Sequence, residues 1–461
     1  MKPVSLEQKI RTFGNPVSML RGSQIGPYVY PIQSEFSNWR DEQRAWREGV
    51  ALMDQSFHMT DLYVEGPEVR RLLSDLAINS FANFGRDKAK QLVVCNHDGF
   101  LIGDMIVFGL EEDRVNIVGR PTVANWVQFN AESGRYDVLV KRDERSVSNP
   151  EPRKTFRFEI QGPMAWQLLE KLNGKPLNEI KFFSMCEIQV LGHRFRALRH
   201  GMGGAPGLEF WGPAEFGPEV KDAILEAGAD FGIRQVGGRA YASAAVDSGW
   251  IPSPMPAIYQ GEKMRPYREW LRADSFDAIA SLGGSFYSDN IEDYYFTPWD
   301  LDYGRLVKFD HDFVGREALE SRAGGPHRRK VTLVWSNEDV LAVCSSQLGA
   351  GHNAKFMEMP TAHYATFPYD RVVQDGRIVG VSTYPAYLAP DRVWVSLAVI
   401  DERVAEMQGA VTVVWGEEGG GSNRPVVERH VQKQIGARVT GWPFSTLAQK
   451  GYRLRPSTIQ V

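Results

Sequence analysis

Three segments carry residue types and spacings that could do chemistry. In QLVVCNHDGFLIGDMIVF, residues 91–108, Asp98-Gly99 is a hairpin turn, so a strand runs on either side of it. Period-two alternation puts Phe100, Ile102, Asp104, Ile106 and Phe108 on one face of the second strand. The opposite face, with Leu101, Met105 and Val107, is apolar too. Asp104 is then a carboxylate in an apolar setting, costly to bury without a partner. It is either a structural hydrogen-bond acceptor or an acid facing a ligand. In RVNIVGRPTVANW, residues 114–126, a strand ends at Arg120 and Pro121 opens a helix. A guanidinium converging with free N–H groups suits an anion; the same pattern fits a surface arginine capping its own loop. In RHGMGGAPGLEFWGP, residues 199–213, glycines lead into a strand on which Leu208 and Phe210 face one way, Glu209 and Trp211 the other. Glu209 is either a solvated strand residue or an acceptor of two hydrogen bonds from an amidine-like edge such as a pterin's. A phosphate loop would need Gly-Lys-Ser/Thr opening a helix, and this stretch opens a strand.

Other chemistries find no support. The nine histidines show no metal-ligand spacing, and neither a His-Glu-x-x-His nor a Gly-x-Ser-x-Gly pattern occurs. The expectation is metal-free chemistry with an organic cofactor or none. His58, between Phe57 and Met59, reads on its own as a satisfied core histidine. Cys95, Cys186 and Cys344 are too few and too scattered for a disulfide framework; they read as buried small hydrophobes in a reducing cytoplasm. A net charge of −4 with dispersed basic residues argues against nucleic acid or an anionic membrane as partner. No apolar run approaches the ~18 residues of a spanning helix.

The elements that must position these residues follow a repeated grammar. DLYVEGPEVRRLLSDL, FRFEIQGPMAWQLLEKL and LEFWGPAEFGPEVKDAIL each read as a strand, Gly-Pro, and an amphipathic helix, with the proline in the first helical turn. In the first helix Val69, Leu72, Leu73 and Leu76 form the stripe that must face a sheet. Such units mixed with hairpins predict α+β layers, and their recurrence suggests two related halves. A break at SRAGGPHRR, residues 321–329, is followed by KVTLVW, RIVGVSTY, VWVSLAVI, AVTVVWG and ARVTGWPF, which predict a small β-barrel or sandwich. The boundary is expected near residue 325, giving a catalytic region over 1–325 and a C-terminal domain over 326–461.

EQRAWREGVALMDQSFHM, residues 42–59, resembles the signature of the glycine-cleavage aminomethyltransferase superfamily, a helix with Ala-x-Arg, an apolar pair, Asp and a Ser/His/Met ending. NHDGFLIGDMIVF, GLEFW, PWDLDYG, KFDHDFVGREAL and RIVGVSTY continue the likeness in register, so that it spans nearly the whole chain. Within that superfamily the chain is similar to the tetrahydrofolate-dependent aryl O-demethylases of vanillate and syringate, through RGSQIGPYVYP, SEFSNWR, RHGMGGAPGLEFWGP, SGWIPSPMPAIY and NIEDYY. It departs from the aminomethyltransferase pattern at Gly103, in place of one of two paired aspartates, and at Val-Gly-Arg-Pro, in place of Val-Asn-Ala. Gaining Arg120 favours an anionic substrate over amine chemistry.

The resemblance implies two related α+β subdomains and a C-terminal β-barrel arranged as a ring around a central folate channel. It also implies tetrahydrofolate as cofactor and a small methoxybenzoate as substrate. By motif, Glu209 would bind the pterin edge and Trp250 pack against the cofactor, with Asp104 on the same side. Arg120 and His58 would hold the substrate's carboxylate or ring oxygens, helped by Tyr28 or Tyr30 and by Gln55, and Tyr241 would be catalytic. Two other readings stay open: methyl or aminomethyl transfer from an amine or sulfonium donor, and a folate-binding accessory protein without catalysis.

Overall fold

The strand–Gly-Pro–helix grammar builds two sheets, with a glycine just after one strand of each packed too tightly against backbone for a side chain. The computed structural model describes residues 4–149 and 151–451. In chain order its first strands are β1 (Ala51–Asp54), β2 (Thr60–Glu65), β3 (Ala89–Cys95), β4 (Leu101–Glu111), β5 (Arg114–Gly119) and β6 (Leu139–Asp143). They are followed by β7 (Thr155–Gln161), β8 (Met185–Val190), β9 (His193–Leu198), β10 (Gly207–Pro213) and β11 (Arg234–Val236). The first sheet is antiparallel with order β3-β4-β5-β2-β6; the second has order β11-β1-β7-β10-β9-β8, with only β1 and β11 parallel. Because β1 belongs to the second sheet and the chain returns to it at β7, the two halves are intertwined.

Gly66 and Gly162 occupy equivalent places, each just after a sheet strand. Each has a positive φ (148° and 137°), and a Cβ on either would sit 2.3 Å from a backbone oxygen, that of Asp137 or of Gly49. Only glycine allows that approach. The prolines behave differently from expectation. The helices begin at Val69 and Ala165, so Pro67 and Pro163 lie just outside them, and in the third unit Pro218, not Pro213, is in the first turn. The glycine turn uses up the residues that would otherwise start the helix. The predicted stripe of Val69, Leu72, Leu73 and Leu76 is buried against the first sheet.

The alternation in β4 is also corrected. A bulge between Val94 and Cys95 shifts the β3–β4 register, and Gly103 takes a φ of 155°. Asp104, Ile106 and Phe108 keep one face, whereas Ile102 turns with Leu101 into the apolar core. Of the cysteines only Cys95 is fully buried; Cys186 and Cys344 are half-buried, because they sit where a strand edge and a helix meet solvent.

The later strands are β12 (Leu282–Gly283), β13 (Arg329–Trp335), β14 (Phe367–Pro368), β15 (Asp370–Gln374), β16 (Arg377–Leu388), β17 (Val393–Ile400), β18 (Ala410–Trp415) and β19 (Lys433–Thr440). β12 pairs with β14, and the others close a barrel in the order β13-β17-β16-β15-β18-β19. Leu333, Trp335, Val372, Trp394, Trp415 and Ile435 are among the side chains that fill it. The expected last strand is shorter than the ARVTGWPF segment: it ends at Thr440, and Trp442-Pro443 leaves the barrel to face the two sheets. Between the sheets a small apolar cluster joins Phe108 and Val118 to Leu198 and Trp211, with the Phe108 and Trp211 rings 4.9 Å apart. Among the described residues no helix is long and apolar enough to cross a membrane.

The close approach at Gly162 gives a test of this packing. Gly192, with a φ of 80° and no atom within 4 Å of an added Cβ, should cost about 1–2 kcal/mol when changed to Ala, the left-handed strain alone. Gly162→Ala should cost distinctly more, since the clash with the Gly49 carbonyl adds to that strain. Denaturant unfolding of both variants checks the order.

Candidate active site

The two sheets, the barrel and the Trp442-Pro443 segment surround a cavity of about 510 Å³. Asp104, Met105, Ile106 and Phe108 come from β4, Val118 and Gly119 from β5, Glu209 from β10 and Lys330 from β13. All nine residues singled out from the sequence line it: Tyr28, Tyr30, Gln55, His58, Asp104, Arg120, Glu209, Tyr241 and Trp250.

At one end, aromatic and cationic groups gather. Tyr28 and Tyr30 lie on an irregular segment before the helix Trp39–Glu48, and both face the cavity. The Tyr30 ring is 5.1 Å from His58 and 4.9 Å from Tyr241, and His58 is 5.0 Å from Tyr241. Arg120 is the N-cap residue of the helix Pro121–Ala131, as the sequence indicated. Its guanidinium lies 4.1 Å over the Tyr28 ring and donates to Ser253 Oγ. Behind Tyr28 stands Arg145, 5.0 Å from the same ring, which the sequence reading missed. Among the described residues neither arginine has a carboxylate within ion-pair distance. Arg145 is buried and Arg120 half-buried, and of the two only Arg120 reaches the cavity wall, so this end carries positive charge without a protein counter-anion among the described residues.

His58 is buried but not satisfied, contrary to the core reading. Its Nδ1 has no partner, and it faces the cavity beside Tyr241. Burial, reinforced by Arg120 and Arg153, pushes its pKa down to about 3, so the ring is neutral at physiological pH and able to accept a hydrogen bond. Tyr241 projects from the helix Gly238–Ser248; its oxygen accepts from Gln55 Nε2 at 3.2 Å. Burial holds its pKa well above the usual phenol value, so the hydroxyl keeps its proton.

At the other end, two carboxylates meet the cavity in contrasting states. Asp104 accepts from Gln91 Nε2 at 2.8 Å and from the Tyr303 hydroxyl at 3.2 Å. Burial still outweighs these bonds and raises its pKa. Glu209, by contrast, pairs with Arg157 and with His200, both buried. Burial opposes its charge, but Arg157 and then His200 prevail and hold its pKa at about 2. Each Glu209 oxygen spends one lone pair on these partners and keeps another for a ligand. Lys330 lies 3.3 Å over the Trp442 ring, and burial brings its pKa down to about 7 against the opposing pull of Asp302 and Asp104. Arg157 and His200 lie within quoted segments but were not singled out, whereas Lys330 and Trp442 reach the site only through barrel closure and carry no local signal. Among the described residues no cluster of three His, Cys, Asp or Glu side chains is placed to hold a metal.

The chain matches the model of the GCVT N-terminal domain over residues 19–253. It is 44% identical over 450 residues, 97% of each chain, to a syringate O-demethylase from Sphingobium sp. strain SYK-6. It is 29% identical over 406 residues, 84% of each chain, to a sesamin methylene transferase from Sinomonas sp.. In fold it is similar to the glycine cleavage system aminomethyltransferase T of Bartonella henselae, with a TM-score of 0.59, 18% identity, and coverage of 92% of this chain and 95% of that one.

The ionisation of Glu209 makes a stability prediction with a definite sign. Its folded pKa, about 2, lies below the ordinary 4.5, so its charge stabilises the fold above pH 4.5 and that gain is lost as pH falls toward 2. Glu209→Gln should lower unfolding free energy at neutral pH by about 3–5 kcal/mol, because Arg157 loses a buried partner. It should also flatten the acid side of the stability profile, measured by denaturant titration between pH 2 and 7.

Proposed function

We propose, from the premise that this chain belongs to the GCVT family, that it is a tetrahydrofolate-dependent O-demethylase of methoxylated benzoates such as syringate and vanillate. The reaction moves the aryl ether methyl to tetrahydrofolate and yields 5-methyltetrahydrofolate and a phenolic acid. The observation that carries the substrate class is the Arg120 guanidinium, without a counter-anion among the described residues, set against Tyr28 and lining the cavity with His58 and Tyr241, with buried Arg145 behind the same ring. A benzoate would supply the missing carboxylate. The 44% identity to a syringate O-demethylase along almost the whole chain supports the same reading.

The far end of the cavity suits a pterin. Its walls include Phe108, Met105 and Trp250, flat or apolar, and its rim carries Asp104 and Glu209. Glu209 has a free lone pair on each oxygen for adjacent N–H donors. Tetrahydrofolate, when bound there, supplies the nucleophilic nitrogen N5 that accepts the methyl group. The protein's share is placement and proton control. Holding acceptor and ether in line in one cavity removes much of the entropic barrier. As the methyl–oxygen bond breaks, its electron pair remains on the phenolic oxygen. The Tyr241 hydroxyl meets that charge; its proton is held more tightly than an ordinary phenol's, so in the ground state it hydrogen-bonds without transferring. Neutral His58 is an acceptor for a ring hydroxyl, and Arg120 orients the carboxylate.

Two variants test these roles. Arg120→Ala should raise KM for a methoxybenzoate far more than for the matching methoxyphenol without a carboxylate, with kcat little changed. An equal loss on both would make Arg120 a structural residue. Tyr241→Phe should lower kcat on the order of 10²–10⁴-fold with substrate and folate affinities retained. Its rate should also depend more steeply on the phenol pKa of ring-substituted substrates; parallel slopes for wild type and variant would remove Tyr241 from the acid role.

A further inference from the structure

Behind Tyr241 lies a carboxylate that the motifs do not single out. Glu159, on β7, is fully buried and sits directly across from Glu209 on β10. Its Oε1 accepts the Met202 backbone N–H at 2.8 Å, and its Oε2 accepts Gln55 Nε2 at 2.7 Å. The same Gln55 nitrogen donates to the Tyr241 oxygen at 3.2 Å, while Gln55 Oε1, also buried, has no partner. One amide therefore spends both its N–H bonds on Glu159 and Tyr241 and leaves its acceptor unused.

That distribution has a direct consequence for Tyr241. An oxygen that accepts from Gln55 has its own proton free to point into the cavity, and the accepted bond makes the hydroxyl a better donor. If Glu159 gains a proton, the pattern inverts. A buried Glu159 O–H needs an acceptor, and Gln55 supplies one by turning its amide over so that Oε1 faces Glu159. Oε1 then also faces Tyr241, whose O–H turns to it and away from the cavity. We infer that Glu159, acting through Gln55, is a positioning residue that sets the direction of the Tyr241 O–H, and that demethylation requires Glu159 in its ionised form. This inference rests on the functional reading above and deepens it.

The surroundings place the switch in an accessible range. Burial raises the Glu159 pKa, His200 opposes the rise, Glu209 across the strand pair adds to it, and the outcome is about 7. Arg157 lies two residues away on β7, and Tyr241 faces Glu159 from the helix Gly238–Ser248. On the remaining side β1 presents the uncharged Met53.

The test is kcat against pH, from 5.5 to 8.5 at saturating tetrahydrofolate and syringate, for wild type and Glu159→Gln. The substitution is isosteric. Its carboxamide oxygen keeps the Met202 bond, so its NH₂ faces Gln55 and imposes the inverted pattern at every pH. Wild-type kcat should fall as pH drops through about 7. Glu159→Gln should be flat, at the low-pH level of wild type and on the order of 10²-fold below its maximum, with folate and substrate dissociation constants within about twofold, a margin below 0.5 kcal/mol. An acid limb that persists in Glu159→Gln, or an undiminished kcat at pH 8, overturns the inference. A second readout does not depend on turnover: infrared difference spectra should show a protonated-carboxyl band that titrates near neutrality in wild type and is lost in Glu159→Gln. Absence of that band overturns the inference as well. A wild-type protein that demethylates nothing at any pH overturns the functional reading instead, and the infrared titration still decides the protonation of Glu159.

Discussion

A chain of buried charges running from one sheet to the other holds the site open and in register. Asp61 on β2 pairs with Arg157 on β7 at 3.1 Å, Arg157 pairs with Glu209 on β10, and Glu209 pairs with His200. Arg153 ties the same Asp61 to the neighbouring backbone, at 2.5 Å from the carboxylate. The Arg157 guanidinium also packs against the contacting pair Phe108 and Trp211, 5.1 Å from each ring. No apolar contact would fix the separation of two sheets so sharply, because ion pairs in a dry interior are stable only when every partner is in place. Burying these charges is costly, and the return is a glutamate kept ionised and aimed into the cavity.

The two ends of the cavity work by opposite electrostatic logic. At the Glu209 end the charges are already paired, which would give the proposed flat partner a fixed acceptor edge. At the Tyr28 end Arg120 and Arg145 pack on aromatic rings in place of anions, so under the proposed function the substrate's carboxylate would complete charge neutrality. Between them Tyr241 and neutral His58 face the point where bonds would change. A ring clamped by its carboxylate and an acceptor clamped by its N–H edge would meet there with little freedom left to lose.

Much of this was legible in the sequence, and the exceptions share a cause. The Asp98-Gly99 hairpin, the helix start at Pro121, the strand facing of Glu209 and the β-rich C-terminal segment all rest on patterns a few residues long. The Gly-Pro repeat marked two related sheets, although the need for glycine at Gly66 and Gly162 comes from carbonyls more than forty residues away, of Asp137 and Gly49. The bulge before Cys95 breaks an alternation that looked regular, because register depends on the partner strand. Glu159 reads in FRFEIQG as an ordinary strand glutamate; only the pairing of β7 with β10 and the arrival of Gln55 and Tyr241 give it a role. Arg145, Lys330 and Trp442 likewise acquire meaning from contacts between segments distant in the chain.

The features of this cavity converge on the passage of a methyl group from an aryl ether to tetrahydrofolate. Syringate labelled with ¹³C in its methoxy carbons, incubated with the protein and tetrahydrofolate, tests it directly by NMR. Label should appear in 5-methyltetrahydrofolate in equal amount to the phenolic product, with no reaction without tetrahydrofolate. Label recovered as methanol or formaldehyde, or demethylation that proceeds without tetrahydrofolate, would contradict it.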